Sequence, residues 1–335
     1  MTTTTTSGAT PPVRRPIIRV GALGPLIALA LLVIVGSVLN DHFLTLSNMA
    51  NIVARASFIG IIAIGATFVI TSGGIDLSVG SLSAFIAGMI IIIVNSLVPT
   101  LGNGWAAVGT GIAAGLLIGA LGGAANGLLV TAGRIEPFIV TLGSLGIFRA
   151  LITFLANGGT LNLNMGASDT YSPLYSGNVL GIPVPIIIFA LVAIIAEIAL
   201  RRTTFGRHIS AIGSNEQVAR YSAIKVDWVR LMTYTLQGLL VGLAAVLYVP
   251  KFGSANSSTA VLWELQAIAA VIIGGTMLRG GFGRVWGTVV GVIILELIGN
   301  ILNLQSLISP YLNQAFQGAI IIIAVLLQRS RRKTN

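Results

Sequence analysis

IIAIGATFVITSGGIDLSVGSLSAFIAGMIIIIV, residues 61–94, contains two long apolar runs parted by a glycine-rich polar stretch, and Asp76 is its one charged residue. A helix needs about 20 apolar residues to cross the hydrocarbon of a bilayer, and each run, extended by its flanks, supplies them. Between them GGIDLSVG, Gly73 to Gly80, breaks the apolar pattern, and two adjacent glycines permit a tight turn. The expected unit is a pair of transmembrane helices joined by a short polar turn. Asp76 is expected to cap the second helix by accepting from the free amides of its first turn.

The same pattern extends in both directions. Apolar windows fall near residues 20–39, 49–71, 77–97, 105–130, 137–156, 183–200, 229–249, 264–278, 286–304 and 311–328. Ten spans use about 200 residues and leave only short loops. The chain of 335 residues is 55% hydrophobic and 8% charged, with mean hydropathy +0.96, more apolar surface than one soluble core buries. The fold class expected is all-α: a polytopic membrane protein of about ten transmembrane helices forming one domain over residues 20–328. Residues 1–19 begin with a Thr-rich run, Met1 to Pro12, which has little to bury and reads as disordered. Val20 to Leu39 is too long for a signal-peptide core and lacks a small-residue cleavage site, so it reads as an uncleaved first helix.

The net charge of +10 comes from scattered Lys and Arg residues that form no single basic face, which excludes nucleic-acid binding and points to topology. With the N-terminus inside, 16 of the 19 basic residues fall on the cytoplasmic side. They are three before the first span, Arg134, six from Arg201 to Arg230, Arg279, Arg284, and four in the tail 329–335. Lys251 alone lies in an outer loop, while Arg55 and Arg149 fall inside spans. Both termini are therefore expected in the cytoplasm.

Chemistry is sparse. Cysteine is absent, and the two histidines, His42 and His208, lie in different loops, so no metal centre is expected. No G-x-x-x-x-G-K-[ST] phosphate loop is present, so nucleotide energy has to come from a partner. Gly109, Gly111 and Ala114 match a dinucleotide fingerprint only superficially, because no strand precedes them. Asp76, Glu136, Glu197 and Glu264 sit at span ends and only Glu296 lies well inside one, which weakens the case for an ion-coupled carrier. Glu197 and Arg201, four apart, read as a helix-end ion pair.

Gly111, Gly115, Gly119, Gly123 and Gly127 recur every fourth residue along about 24 Å of helix, a spacing that lets neighbouring helices approach closely. Gly283, Gly287 and Gly291 repeat the device, as do Gly238 and Gly242. Arg149, about 18 Å into its span, is a candidate to line a polar path with Asn126, Gln237, Glu296, Asn300 and Gln317. Arg55, in the outer part of its span, is more simply read as snorkelling to the interface. The largest inner loop, residues 201–228, contains SNEQVARYSAIKV, Ser214 to Val226, whose Val218, Tyr221 and Ala223 or Ile224 suit a short amphipathic helix that docks a soluble protein.

Four ordered stretches carry a family resemblance: GGIDLSVGS (Gly73 to Ser81), EPFIVTLGSLGIFRA (Glu136 to Ala150), FGRHISAIGSNEQVARYSAIKV (Phe205 to Val226) and ELQAIAAVIIGGTMLRGGFGRVWGT (Glu264 to Thr288). Together they resemble ribose-type permeases of bacterial ABC sugar importers, over about residues 20–328. The resemblance implies an inner-membrane permease that pairs with a second permease subunit, identical or different. It also implies a periplasmic sugar-binding protein and a cytoplasmic ATPase with two fused nucleotide-binding cassettes, ATP and Mg being bound by that ATPase. Gly213, Asn215, Glu216, Ala219 and Ile224, with Arg220 beside them, correspond to the family's coupling helix. Gly73, Gly74, Asp76, Ser78 and Gly80 match its cytoplasmic turn, and Arg149 matches its arginine after T-L. Gln266 stands where the family often has aspartate, and Ile301 replaces a glycine between Asn300 and Asn303. A branched-chain amino-acid permease is the neighbouring alternative, and an ion-coupled carrier is the one from another class.

Overall fold

The computed structural model describes residues 24–304 together with Ala315, Gly318 and Ala319. Residues 1–19, the tail 329–335, and the expected tenth span with Gln317, apart from those three positions, lie outside the described residues. The chain runs through α1 (Gly24–Leu39), α2 (Leu46–Thr71), α3 (Val79–Leu101), α4 (Trp105–Thr131) and α5 (Pro137–Leu155). A short excursion follows: β1 (Thr160–Asn162), α6 (Met165–Tyr171), α7 (Pro173–Ser176), β2 (Asn178–Val179) and β3 (Ile182–Pro183). Then come α8 (Val184–Arg202), α9 (Thr204–Ser214), α10 (Glu216–Tyr221), α11 (Val226–Phe252), β4 (Ser254–Asn256), α12 (Trp263–Ile273) and α13 (Val285–Leu304).

Among the described residues seven helices, α2, α3, α4, α5, α8, α11 and α13, are long and apolar enough to cross a membrane. The span expected at 264–278 differs. Helix α12 has 11 residues, about 16 Å, and stops at Ile273 because Gly274 and Gly275 follow, Gly275 at φ +89°. The apolar window continued across a turn that hydropathy does not register.

Burial ranks the helices. The most apolar window of α2 is 89% buried and that of α11 67%, against 22% for α5 and 28% for α8. Thus α2 and α11 form the centre of the bundle, while α5 and α8 show apolar side chains such as Ile139, Phe154 and Ile195 to the outside. An apolar exterior of this extent suits a lipid solvent.

The glycine series does what its spacing requires, although its two halves serve different partners. Gly111 and Gly115 receive Val94 and Ile90 of α3, whereas Gly119 and Gly123 lie directly against the backbone of Gly238 and Tyr234 in α11. Gly287 and Gly291 of α13 likewise take the carbonyls of Gly274 and Ala270 at the end of α12. A β-carbon at any of these four backbone contacts collides with main chain that has no means to move aside. Gly143 on α5 faces open space. Gly119→Leu is therefore expected to cost about 1–3 kcal/mol or more through overpacking, and Gly143→Ala to stay within about 0.5 kcal/mol. Thermal unfolding of the purified protein in detergent, with monodispersity as a second readout, checks both; equal behaviour of the two variants contradicts the packing described.

Candidate functional site

One end of the bundle gathers three stretches that are far apart in sequence. Helix α2 ends at Thr71, and the next residues turn through Gly73 at φ +85°. The amide of Gly281 donates to the Thr71 carbonyl at 2.9 Å. Gly213, near the end of α9, presses its Cα face against that same carbonyl and against Gly281, and Gly283 packs on the Thr71 hydroxyl. Gly280 and Gly281 both take φ +82°. Only residues without a side chain fit this knot, which ties α2, α9 and the α12–α13 connection at one point. Glu197 of α8 joins it, pairing with Arg201 at 2.6 Å and accepting from the Val285 amide at 3.1 Å.

Around this knot the segment 201–228 is largely helical. Helix α9 buries Ile209 and Ile212, with Phe205 stacked on Phe68 of α2. Asn215 then caps α10, its side chain accepting from the Val218 amide at 3.1 Å. Helix α10 is shorter than the stretch 214–226 expected to be helical, because Ala223 turns at φ +60°. Of the apolar positions read from sequence, Val218 and Tyr221 are exposed, Tyr221 at 89%, while Ala219 is buried and Ile224 packs on the core. Next to them Arg220 bonds Glu216 at 2.9 Å and Asp227 at 2.7 Å, and Arg230 bonds Glu216 at 2.7 Å. Burial works to raise the Glu216 carboxyl, but the two arginines outweigh it and hold it below its ordinary range. These four charges, with Gly73, Arg134 and Glu136, line a polar cavity of about 510 Å³.

Beyond Gly73 the chain is not a tight turn. Gly74 to Ser78 is not helical and enters the protein interior, where several of its polar groups find partners while one Asp76 oxygen finds none. The Tyr234 hydroxyl donates to the Ile75 carbonyl at 3.0 Å, and one Asp76 oxygen accepts from both the amide (2.8 Å) and the hydroxyl (2.7 Å) of Ser78. Asp76 thus makes a local Asx turn, whereas the cap position of α3 is Ser78. Asn126 donates to the Ser78 hydroxyl at 2.9 Å and accepts from Ser144 at 2.6 Å, linking α3, α4 and α5. Gln237 is wholly buried, donates to the Ile62 carbonyl at 3.3 Å, and occupies the space that Gly65 leaves open. Asn126 and Gln237, candidates for a polar path, are placed as ties between helices.

At the opposite end, β1 pairs antiparallel with β4, and the chain after β4 dips inward before α12 begins. Arg149 holds this dip, one guanidinium nitrogen donating to the carbonyls of Ser257 and Thr259, each at 2.7 Å. The dip brings Ala260 and Glu264 against Gly80 at the start of α3, where a side chain has no room. Glu296 and Asn300 of α13 come together beside it, lining a cavity of about 250 Å³ with Arg55, Phe58, Lys251, Trp263 and Gln266. Asn300 is fixed there by reciprocal bonds with Asn48 at 2.8 and 3.1 Å. Phe58, Trp263 and Gln266 were not singled out as site residues by sequence pattern, since each reads as an ordinary position in an apolar span or as a departure within one. The signal that was available is charge: Arg55 and Lys251 are the basic residues that topology leaves on this side.

Since Arg149 satisfies two backbone carbonyls, Arg149→Leu is expected to lower folded yield and transport in parallel, leaving two buried acceptors unpaired at about 1–3 kcal/mol each. Fluorescence-detected size exclusion beside uptake checks this. Full folded yield with transport lost assigns Arg149 to the path instead.

Over residues 48–325 the chain matches the family model described as the permease component of the branched-chain amino acid transport system. It is similar to the ribose import permease protein RbsC of Bacillus subtilis (strain 168), 42% identical over 313 residues, covering 92% of this chain and 93% of the relative. The ribose import permease protein RbsC of Escherichia coli (strain K12) is 37% identical over 312 residues, covering 92% and 93%. The D-allose transport system permease protein AlsC of Escherichia coli (strain K12) is 35% identical over 309 residues, covering 91% of each chain. With its bundle of membrane-length helices and a match spanning nearly all of them, this chain belongs to that family of transport-system permease components.

Proposed function

We propose that this chain is the membrane-spanning subunit of an ATP-driven importer for a monosaccharide, translocating sugar by alternating access without covalent chemistry. The relatives named for ribose and D-allose support a sugar over a branched-chain amino acid, although the family model carries the latter description. The observation that carries the coupling role is the glycine knot at Thr71, backed by the exposed α10 surface of Val218 and Tyr221. A soluble ATPase with two fused nucleotide-binding cassettes docks on that surface, and ATP and Mg reside on that partner, this chain binding no cofactor. The bias of basic residues supports a cytoplasmic side for the knot and both termini, in a protein of the bacterial inner membrane.

The β1–β4 end then faces a periplasmic sugar-binding protein, and a second permease subunit, identical or homologous, shares the assembly. Lipid covers the outer faces of α5 and α8. A push on α9 and α10 reaches α2 through Gly213 and α13 through Gly281, and these two helices also wall the cavity at the other end. Such a linkage lets ATP on one side and loaded binding protein on the other bias the same pair of states. In an ion-coupled carrier the exposed Tyr221 would have no partner to meet.

Two measurements test this reading. Proteoliposomes holding the assembled importer are expected to accumulate labelled D-ribose or D-allose about tenfold or more over L-leucine, and only with ATP and binding protein; uptake driven by an ion gradient without ATP overturns it. Glu216→Arg turns the Arg220–Glu216–Arg230 arrangement repulsive at a cost of about 1 kcal/mol, too little to unfold the chain. It is expected to cut ATP-driven uptake about tenfold with normal membrane insertion, and unchanged uptake removes the docking role from α10.

A further inference from the structure

We propose that the cavity between α2, α11, α12 and α13 is a monosaccharide-binding site supplied by this chain, with Trp263 as its aromatic platform and Glu296 and Lys251 as partners for sugar hydroxyls. The proposal rests on the sugar-importer reading above and names where in this subunit the sugar is held.

At the other cavities most of the charges meet a partner directly, although Arg284 Nε beside Trp286 has none. At the motif end Glu216, Arg220, Asp227 and Arg230 bond one another. Beside α5, Arg149 is occupied by two carbonyls, and near Trp286 the charges of Glu197 and Arg201 are paired. In the α2–α13 cavity the charges remain apart. Among the described residues no ion pair within 4.0 Å joins Glu296 to Arg55 or Lys251, although all three line one space. Glu296 attracts the two cations across that space without direct contact, and a polar ligand that bridges them adds hydrogen bonds in an apolar bundle, where such bonds count for more than in water.

The lining suits a neutral sugar. Phe58 is stacked between Tyr175 at 5.6 Å and Trp263 at 6.1 Å, and so backs Trp263, while Tyr248 meets Phe58 and Trp263 edge-on. Aromatic rings accept the C–H face of a sugar, which is apolar, while its rim of hydroxyls needs donors and acceptors together. The Lys251 ammonium is steered by this cluster: it donates to the Tyr175 hydroxyl at 2.6 Å and lies 4.5 Å from that ring and 5.4 Å from Phe58. An ammonium has three donors, so two remain. Glu296 supplies acceptors. A volume of about 250 Å³ is below the range usual for drug-sized ligands and matches one small sugar.

Trp263 is also the reporter. In full-length protein in nanodiscs, with Trp105, Trp228 and Trp286 changed to Phe, D-ribose is expected to change Trp263 fluorescence saturably, and L-leucine to leave it unchanged. Glu296→Gln, nearly the same shape, is expected to weaken this binding about tenfold or more by removing a charged acceptor. In the assembled importer Trp263→Leu is expected to lose uptake about tenfold, and Trp263→Phe, which keeps a ring, to retain most of it. If Trp263→Leu fails to fold, the Glu296→Gln titration decides. An equal response to L-leucine, or wild-type ATP-driven ribose uptake that Glu296→Gln and Trp263→Leu leave unchanged, overturns this site and leaves the importer reading standing. Absence of ATP-driven uptake of any sugar by the wild-type assembly overturns the importer reading itself.

Discussion

Inside an apolar bundle every backbone amide and carbonyl needs a partner from the protein, because lipid offers none. Continuous helices meet that demand by themselves. Among the described residues the interior departures from helix include Gly74 to Ser78 and the dip before Trp263, and at both particular side chains supply partners. Tyr234 serves the Ile75 carbonyl, Asp76 serves the Ser78 amide, and Arg149 serves the carbonyls of Ser257 and Thr259. Because these partners come from α11 and α5 and from the broken segment itself, helices α3 and α12 begin inside the protein. Their first turns meet where Gly80 faces Ala260 and Glu264.

Glycine is the other half of the arrangement. Where α4 crosses α11, and where α13 crosses α12, backbone touches backbone, and the absent side chains allow dispersion contacts along the whole crossing. At the Thr71 knot the same property serves connection more than packing. Three segments of distinct helices share one carbonyl, and a displacement of α9 is passed to α2 and to the start of α13 as to parts of one body. Those helices reach the opposite end, where Arg55, Phe58, Glu296 and Asn300 stand. The chain thus has the exposed α10 surface at one end and a cavity at the other, with continuous helix between them.

Much of the fold is legible in the residues. Seven of the membrane-length runs, the close-packing spacing of Gly111 to Gly127, the Glu197–Arg201 pair and the helical character of the segment around Glu216 follow from local pattern, and the structure contains them among the described residues. The polar candidates were legible as a list and illegible as a site. Asn126 is bound to Ser78 and Ser144, Gln237 to Ile62 and Arg149 to a distant loop, while Glu296 and Asn300 line a cavity with residues that pattern did not mark. A buried amide in a span reads the same whether it ties two helices or faces a ligand.

Hydropathy, glycine spacing and charge bias act on single helices or short windows, so the sequence alone determined that this is a helical membrane protein, where seven of its membrane-length helices run, and which loops carry the basic residues. Three matters waited for the tertiary structure. The apolar window at 264–278 became a half-length helix because Gly274 and Gly275 turn the chain back toward Thr71. The turn after Gly73 became an interior non-helical segment because Tyr234, more than 150 positions away, supplies a donor to it. Finally, Phe58, Lys251, Trp263 and Glu296 became neighbours because four helices converge there. Each of these outcomes depends on contacts between residues far apart in the chain, and such contacts have no periodicity for a sequence to display.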